Sequence, residues 1–233
     1  MKRFQYLVML NMGFMILFAL SAFASGEKGY PQENVKLTGK LYTFPINIEG
    51  SPYLQEEWQV GNLYLENGKT ALNVKIKFNI INNDLIFYQE ILKRLFVADR
   101  ETIKSFVINP GRQDSTIFVK YNGPEVGYKL KKNDFVQELY QGKIFFMVKH
   151  TGDIINATET NSKDKVYTKN IYYVNFNNHT YEIKLSNRSV YSLFPSKKKE
   201  LRRLMSENRL RHSSVENLIK LFNLIELSGN FNL

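Results

Sequence analysis

Residues 61–88 read GNLYLENGKTALNVKIKFNIINNDLIFY, and their alternation of apolar and polar side chains decides the fold class. In the middle of this segment, Ile76 and Phe78 alternate with lysine and asparagine residues, which is typical of a strand with one buried and one wet face. The preceding pair, Asn67-Gly68, predicts a type I′ hairpin turn, because both central residues of that turn need a positive φ. The segment therefore predicts a three-stranded antiparallel meander.

The same short, alternating segments continue along the chain and are separated by turn residues. They predict further strands at residues 94–98, 103–108, 116–121, 135–140, 143–149, 170–176 and 180–185. Residues 151–166 are polar, and we expect them to form a long loop. The predicted fold class is mainly β (α+β), with one antiparallel domain over residues 41–188. Such a sheet can curl into a half-barrel, and its concave face is where we expect a ligand.

Residues 189–228 change in character and predict a helical cap on the same domain. One helix is expected between Ser196 and about residue 208, where leucines recur on one side. A second helix opens with Ser213 and Glu216, which have the spacing of a capping box. The apolar faces of the two helices are expected to pack on the sheet or on each other.

The N-terminus has the three parts of a secretory signal. Two basic residues, Lys2 and Arg3, precede an apolar run, and Ala22 and Ala24 follow at the spacing that a signal peptidase needs. We therefore predict a signal peptide over residues 1–24, with an uncleaved membrane anchor as the alternative. Residues 25–40 are polar and predict a flexible lead-in. The expected product is an exported protein, periplasmic or extracellular, without a transmembrane span in the mature chain.

The composition narrows the classes of partner. The chain of 233 residues has no cysteine, which excludes disulfides, thiol chemistry and a lipoprotein anchor. It carries 32 basic and 22 acidic residues, a net charge of +10. An exported protein rarely meets nucleic acid, so the expected partner is an envelope protein or an envelope polyanion, unless the charge serves solubility alone. The densest basic run is KKKELRR at 197–203, which is either a polyanion-binding helix face or a solvated one.

No catalytic, cofactor or metal site is predicted. The three histidines, His150, His179 and His212, lack the spacing of a metal site, and each lies near a turn or helix start, where a solvated position is expected. No serine-hydrolase or phosphate-binding glycine motif is present. The acidic clusters are expected to be surface charge; they are Glu56-Glu57, Asp99 with Glu101, and Asp134 with Glu138.

Two weaker signals point to carbohydrate. Tyr53 and Trp58 flank the acidic pair before the first strand of the meander, and exposed aromatic rings can stack on sugars. Asp114-Ser115-Thr116 resembles the short acceptor used for O-glycosylation in exported Bacteroidota proteins, and the sequence leaves open whether it is modified.

Several of these elements occur together in a known arrangement. A signal peptide is followed by Gly50-Ser51-Pro52-Tyr53-Leu54, then by the Asn67-Gly68 hairpin, and later by FPSKKKE at 194–200. This arrangement resembles a group of uncharacterised exported β-rich proteins of Bacteroidota. The resemblance covers most of the mature chain and implies an envelope or surface protein.

These observations favour a non-enzymatic binding or structural role in the cell envelope. Two alternatives stay open. One is a periplasmic carrier or chaperone that holds an apolar ligand inside a curved sheet. The other is a glycan-active enzyme, which would need two carboxylates facing each other near the aromatic residues, with Glu56 and Glu57 as the candidates.

Overall fold

The structure is a computed structural model and describes residues 35–43, 48–155, 163–210, 214–231 and 233. The predicted signal peptide and the first part of the lead-in lie outside these residues, as do Arg211, His212 and Ser213. The strands are β1 (Gly39–Leu41), β2 (Ile48–Glu49), β3 (Gln59–Leu65), β4 (Thr70–Asn79), β5 (Asp84–Gln89), β6 (Arg94–Ala98), β7 (Ile103–Ile108), β8 (Thr116–Lys120), β9 (Phe135–Gln141), β10 (Phe145–Ile155), β11 (Asp164–Phe176) and β12 (His179–Ile183). The helices are α1 (Asn187–Leu193), α2 (Lys198–Glu207) and α3 (Val215–Ser228), with a 3₁₀ turn, Pro195–Lys197, before α2.

The strands form one sheet that confirms the predicted antiparallel meander. Its order is β1-β6-β5-β4-β3-β7-β8-β9-β10-β11-β12, and β2 joins β11 in parallel. The strand β3 is the turning point, because β4 pairs with one of its edges and β7 with the other. One meander runs from β3 through β6, and a second runs from β7 through β12.

The first meander curls over the start of the second. Phe78 on β4 and Phe118 on β8 are separated in the sheet by two strands, yet their ring centroids are only 5.0 Å apart. Neighbouring strands lie about 4.8 Å apart, so a flat sheet would separate these rings by roughly 14 Å. Phe106 and Phe135 join the same cluster at 5.5 and 6.4 Å from Phe78. The sheet is therefore curved as predicted, but four buried rings fill the concave side on which a ligand was expected.

The helices cover the other half of the sheet. Val190 of α1, Leu201 of α2 and Phe222 of α3 are completely buried in one cluster with residues of β10 to β12. Phe222 meets Phe146 of β10 edge to face at 5.3 Å. The prediction that the apolar helix faces pack inward is thus confirmed. No helix among the described residues is long and apolar enough to cross a membrane.

Four local predictions were wrong in detail. The cap of α3 is Ser214, whose side chain accepts from the backbone of Asn217, whereas Ser213 lies outside the described residues. The described residues of the predicted 151–166 loop are mostly strand, because β10 extends to residue 155 and β11 begins at 164. The predicted lead-in ends inside the sheet, since β1 pairs with β6 from residue 39 onward.

The fourth correction concerns the Asn67-Gly68 turn. Gly68 has a φ of 81° and donates to the carbonyl of Leu65, while Asn67 keeps a negative φ. The turn is a three-residue hairpin loop closed by glycine, which is the next most common hairpin connection. Asn177 and Asn178, between β11 and β12, are the pair in which both φ angles are positive, at 50° and 60°.

Candidate functional site

A groove between α1 and α2 gathers positive charge on the helical cap. Ser186 caps the N-terminus of α1, and its hydroxyl accepts from the backbone N–H of Ser189 at 3.3 Å. Val190 and Phe194 anchor the helix and its end in the core. This anchoring turns Arg188 to the surface and leaves Tyr191 half-buried beside it.

The helix α2 supplies the opposite wall. Pro195 starts the 3₁₀ turn and sets the change of direction from α1. Leu201 and Met205 are the buried residues of α2. Lys198 and Arg202, four residues apart, share one exposed face of the helix.

The Tyr191 ring is the floor of the groove. The Arg202 guanidinium carbon lies 5.5 Å from the ring centroid and the Lys198 ammonium lies 5.9 Å from it. Arg188, Ser192 and Pro195 complete a lining around a volume of about 680 Å³. Cations at these distances from an aromatic face are held by cation–π attraction, which keeps the two side chains over the ring.

The charge of this groove is not neutralised by carboxylates. On the same stretch, Lys197 pairs with Glu200 at 3.3 Å, and Arg203 is 3.9 Å from Glu207. Among the described residues, none of the ion pairs includes any of the three groove cations, Arg188, Lys198 and Arg202. Lys197 and Arg203 are therefore paired outside the groove, whereas Lys198 and Arg202 line the groove without a carboxylate partner among the described residues. Lys199 also has no ion pair among the described residues, but it lies outside the groove lining.

Three unpaired cations around an aromatic floor can bind an anion. Arginine presents a planar fork that matches phosphate, sulfate or carboxylate oxygens, and lysine adds a compact charge. The Tyr191 ring offers an apolar face to whatever carries the anionic group. Ser192 adds a hydroxyl to the lining, and this hydroxyl donates to the Ser189 carbonyl at 2.6 Å.

The groove was only partly predicted. The basic run at 197–203 was predicted as a candidate polyanion-binding helix face, and two of its cations, Lys198 and Arg202, line the groove. Arg188 and Tyr191 were missed, because each is one ordinary surface residue until α1 is packed beside α2. Arg209 is exposed beyond the end of α2, and it has a positive φ of 56°.

The predicted aromatic pair is assembled around a lysine. The Lys77 ammonium lies 4.6 Å from the Tyr53 ring centroid and 5.3 Å from that of Trp58, and it donates to the Glu56 carbonyl. The Tyr53 hydroxyl also lies 2.7 Å from that of Tyr42. Burial raises the pKa of Tyr53, and the bond to Tyr42 adds to this shift. The ammonium thus lies over both rings that a sugar would use.

The acidic clusters lie in different environments. Glu56, Glu57, Asp99 and Glu101 are exposed, as expected. Asp134 is buried, so the prediction of surface charge was wrong there; its carboxylate accepts from the Lys149 ammonium at 2.6 Å. Glu138 is half-buried, and burial raises the pKa of its carboxyl.

The two described histidines, His150 and His179, lie in different environments. His150 is buried, contrary to the expected surface position, and its ring nitrogens lie 2.8 Å from Asn170 Oδ1 and 2.7 Å from Gln137 Oε1. Burial lowers its pKa. His179 is exposed at the start of β12, as expected. Within the part of the chain that the structure describes, no group of three histidine or carboxylate residues could hold a metal ion.

The acceptor-like triplet lies at the start of β8. Asp114 accepts from the Asn109 side chain at 2.7 Å, and Ser115 is exposed. Thr116 is the first residue of β8, and its hydroxyl is buried. Ser115 is thus the accessible hydroxyl of the triplet.

Comparison with known proteins adds no family. No protein-family model matches the chain, and neither does a curated protein or a solved structure.

Proposed function

We propose that this is an exported, non-enzymatic binding protein of the cell envelope, and that the groove of Arg188, Tyr191, Lys198 and Arg202 binds a phosphate group of an envelope polyanion. The single observation that carries the proposal is that three cations without carboxylate partners among the described residues line one groove, and that two of them, Lys198 and Arg202, lie over its aromatic ring. The N-terminal signal pattern supports the location. An envelope offers phosphate as lipid headgroups and as phosphate-bearing polymers.

The groove favours binding over catalysis and a surface ligand over an enclosed one. It is open to solvent and lies on the helical cap, away from the four rings that fill the curled sheet. Neither the carrier nor the glycan-active enzyme gains a specific observation from the described residues. Both stay as sequence-based alternatives.

The test is a titration of the purified protein with glycerol phosphate and with linear polyphosphate, followed by calorimetry. The double variant Lys198→Gln/Arg202→Gln removes two groove cations. The control Lys199→Gln/Arg203→Gln removes one lysine and one arginine, four residues apart, from another exposed face of α2. Since hydrogen bonds to charged groups contribute about 1.5–3 kcal/mol, we expect at least roughly tenfold weaker binding in the groove variant.

Equal weakening in both variants would contradict the proposal, because it would show that net charge alone governs binding. Absence of binding by the wild-type protein would contradict it as well. Binding that persists in the groove variant, at the affinity of the control, would locate the anion elsewhere.

A further inference from the structure

The turn between β5 and β6 exposes two large apolar side chains at its tip. The strands pair from Ile86 with Val97 to Gln89 with Arg94, and four residues, 90–93, connect them. Ile91 is 88% exposed and Leu92 is 58% exposed. We call residues 90–93 the hairpin tip.

The charge around the hairpin tip is positive. The two oxygens of Glu90 lie 3.2 Å from the Lys75 ammonium and 3.5 Å from that of Lys93. The hydrogen bond from Lys75 is the main reason why the pKa of Glu90 is lowered, so this carboxylate stays ionised and paired. Arg94 is exposed next to the tip. Three cations against one carboxylate leave a surplus of two positive charges around two apolar side chains.

The shape of the hairpin tip excludes a small-molecule site. Ligand pockets are concave and enclose most of their ligand, whereas this feature is convex. The regular antiparallel pairing of β5 and β6 also holds the hairpin tip in place. Binding through Ile91 and Leu92 therefore does not require the loss of conformational entropy that ordering a flexible loop would cost. A convex apolar tip that is surrounded by cations is complementary to a partner with an apolar interior and an anionic surface.

We propose that the hairpin tip docks the protein on an anionic lipid bilayer, with Ile91 and Leu92 in the acyl boundary and Lys75, Lys93 and Arg94 at the headgroups. Segments that bind at the surface of a bilayer gain affinity from two sources, the burial of apolar side chains and the attraction of cations to anionic headgroups. Each cation close to an anionic leaflet strengthens association roughly fivefold. Docking through the hairpin tip does not depend on anion binding in the groove.

The first test is flotation of the purified protein with vesicles of phosphatidylglycerol and phosphatidylcholine, compared with vesicles of phosphatidylcholine alone. The variant Ile91→Asn/Leu92→Asn removes the apolar tip. The matched control is Ile155→Asn/Leu227→Asn, which changes one isoleucine and one leucine that are 57% and 75% exposed elsewhere. All four side chains are exposed, so the variants are expected to fold.

We expect the tip variant to bind anionic vesicles at least roughly tenfold more weakly than wild type, and the control to bind as wild type does. Binding should also be weaker on phosphatidylcholine alone and at high salt. Equal binding of the tip variant and wild type would overturn the proposal, as would a wild-type protein that does not float with anionic vesicles. A protein partner at the tip would give one of these two results.

A second readout reports insertion directly. Trp58 is the single tryptophan of the chain, so Trp58→Phe with Ile91→Trp places one fluorophore at the tip. We expect its emission to shift to the blue on addition of anionic vesicles and to keep that shift in the groove variant Lys198→Gln/Arg202→Gln. An unshifted spectrum would overturn the proposal even if another part of the chain holds the vesicle. A blue shift at the tip, together with a wild-type groove that does not bind polyphosphate, would support the tip and contradict the groove alone.

Discussion

The carboxamide of Asn83 forms two hydrogen bonds with the backbone of Phe135. Asn83 Nδ2 donates to the Phe135 carbonyl at 2.8 Å, and Asn83 Oδ1 accepts from the Phe135 N–H at 2.6 Å. Asn83 lies in the turn between β4 and β5, and Phe135 begins β9, which three strands separate from β4 in the sheet order. A buried side chain thus takes the place of a strand partner and holds the curled sheet at this end.

The first prediction concerns this contact. Substituting Asn83→Gly removes both hydrogen bonds but tolerates the φ of 56° at this position. Two buried backbone groups lose their partners, each at about 1–3 kcal/mol, so we expect a loss of about 2–6 kcal/mol in the free energy of unfolding. Urea denaturation followed by circular dichroism measures it.

Two further variants separate the contribution of the lost hydrogen bonds from that of backbone strain. Asn83→Ala should cost about 1–2 kcal/mol more than Asn83→Gly, because alanine is strained at positive φ. Asn133→Ala, at a φ of 68°, should show the strain alone. If Asn83→Gly were as stable as wild type, the side-chain bridge would not hold the curl.

The second prediction concerns the buried pair of Asp134 and Lys149, whose side chains are 7% and 13% exposed. Lys149→Met leaves the buried Asp134 carboxylate with the backbone N–H of Lys131 as a hydrogen-bond donor and the Arg100 guanidinium 3.8 Å away. We expect a loss of about 2–3 kcal/mol, since Lys149 is the closest charge to this buried carboxylate and Arg100 compensates it only in part. The double variant Asp134→Asn/Lys149→Met should recover at least about 1 kcal/mol of it in urea denaturation.

The exposed pair of Lys165 and Glu49 is the control, because its atoms are 3.8 Å apart and both side chains are more than half exposed. Lys165→Met should change the unfolding free energy by less than about 1 kcal/mol. Equal costs at Lys149 and Lys165 would argue against a buried charge at Asp134.

Strands with one buried and one solvent-exposed face could be predicted from the sequence. Strand segments in which both faces are exposed could not. Alternation around Ile76 and Phe78 identified β4, because a period of two is a local property. The outer parts of β10 and β11 were missed because both of their faces are largely exposed and carry polar residues. Alternation also indicates that Phe78 and Phe118 lie on the apolar faces of their strands. It does not indicate the curl of the sheet that brings the two rings into contact.

The candidate site was harder to predict for the same reason. The basic run of α2 is visible in sequence, but the pairing of Lys197 and Arg203 with neighbouring glutamates is a matter of helix geometry. The groove needs Arg188 and Tyr191 from α1, whose position follows from the burial of Val190 and Phe194 in the core. His150 was misassigned because its partners, Gln137 and Asn170, lie on other strands.

The third prediction follows from the lowered pKa of His150. Burial disfavours its charged form in the folded state, whereas the unfolded chain titrates near the ordinary value of 6.5. As the pH falls through 6.5, the unfolded state takes up the proton first, so folded-state stability decreases until the folded pKa is passed. Above 6.5 the contribution of His150 is constant.

Unfolding free energies of wild type and His150→Gln between neutral and mildly acidic pH measure this effect. The variant should lose the part of the slope below 6.5 that wild type shows. His179→Gln changes an exposed histidine and should leave the wild-type slope in place. A slope that His179→Gln removes and His150→Gln retains would reverse the assignment.

The last prediction tests the close approach of β3 and β4 at Gly61. A Cβ on Gly61 would lie 2.2 Å from Ile76 Cδ1 and 3.1 Å from the Val107 carbonyl oxygen, and Ile76 is fully buried. Gly61→Ala should therefore cost about 1–3 kcal/mol through overpacking. Ile76→Val removes the closest atom and alone should cost about 1 kcal/mol. Because the two changes relieve each other, the double variant should cost at least about 0.5 kcal/mol less than the sum of the single ones. Strictly additive costs in urea denaturation would show that the carbonyl, not Ile76, excludes a side chain at this position.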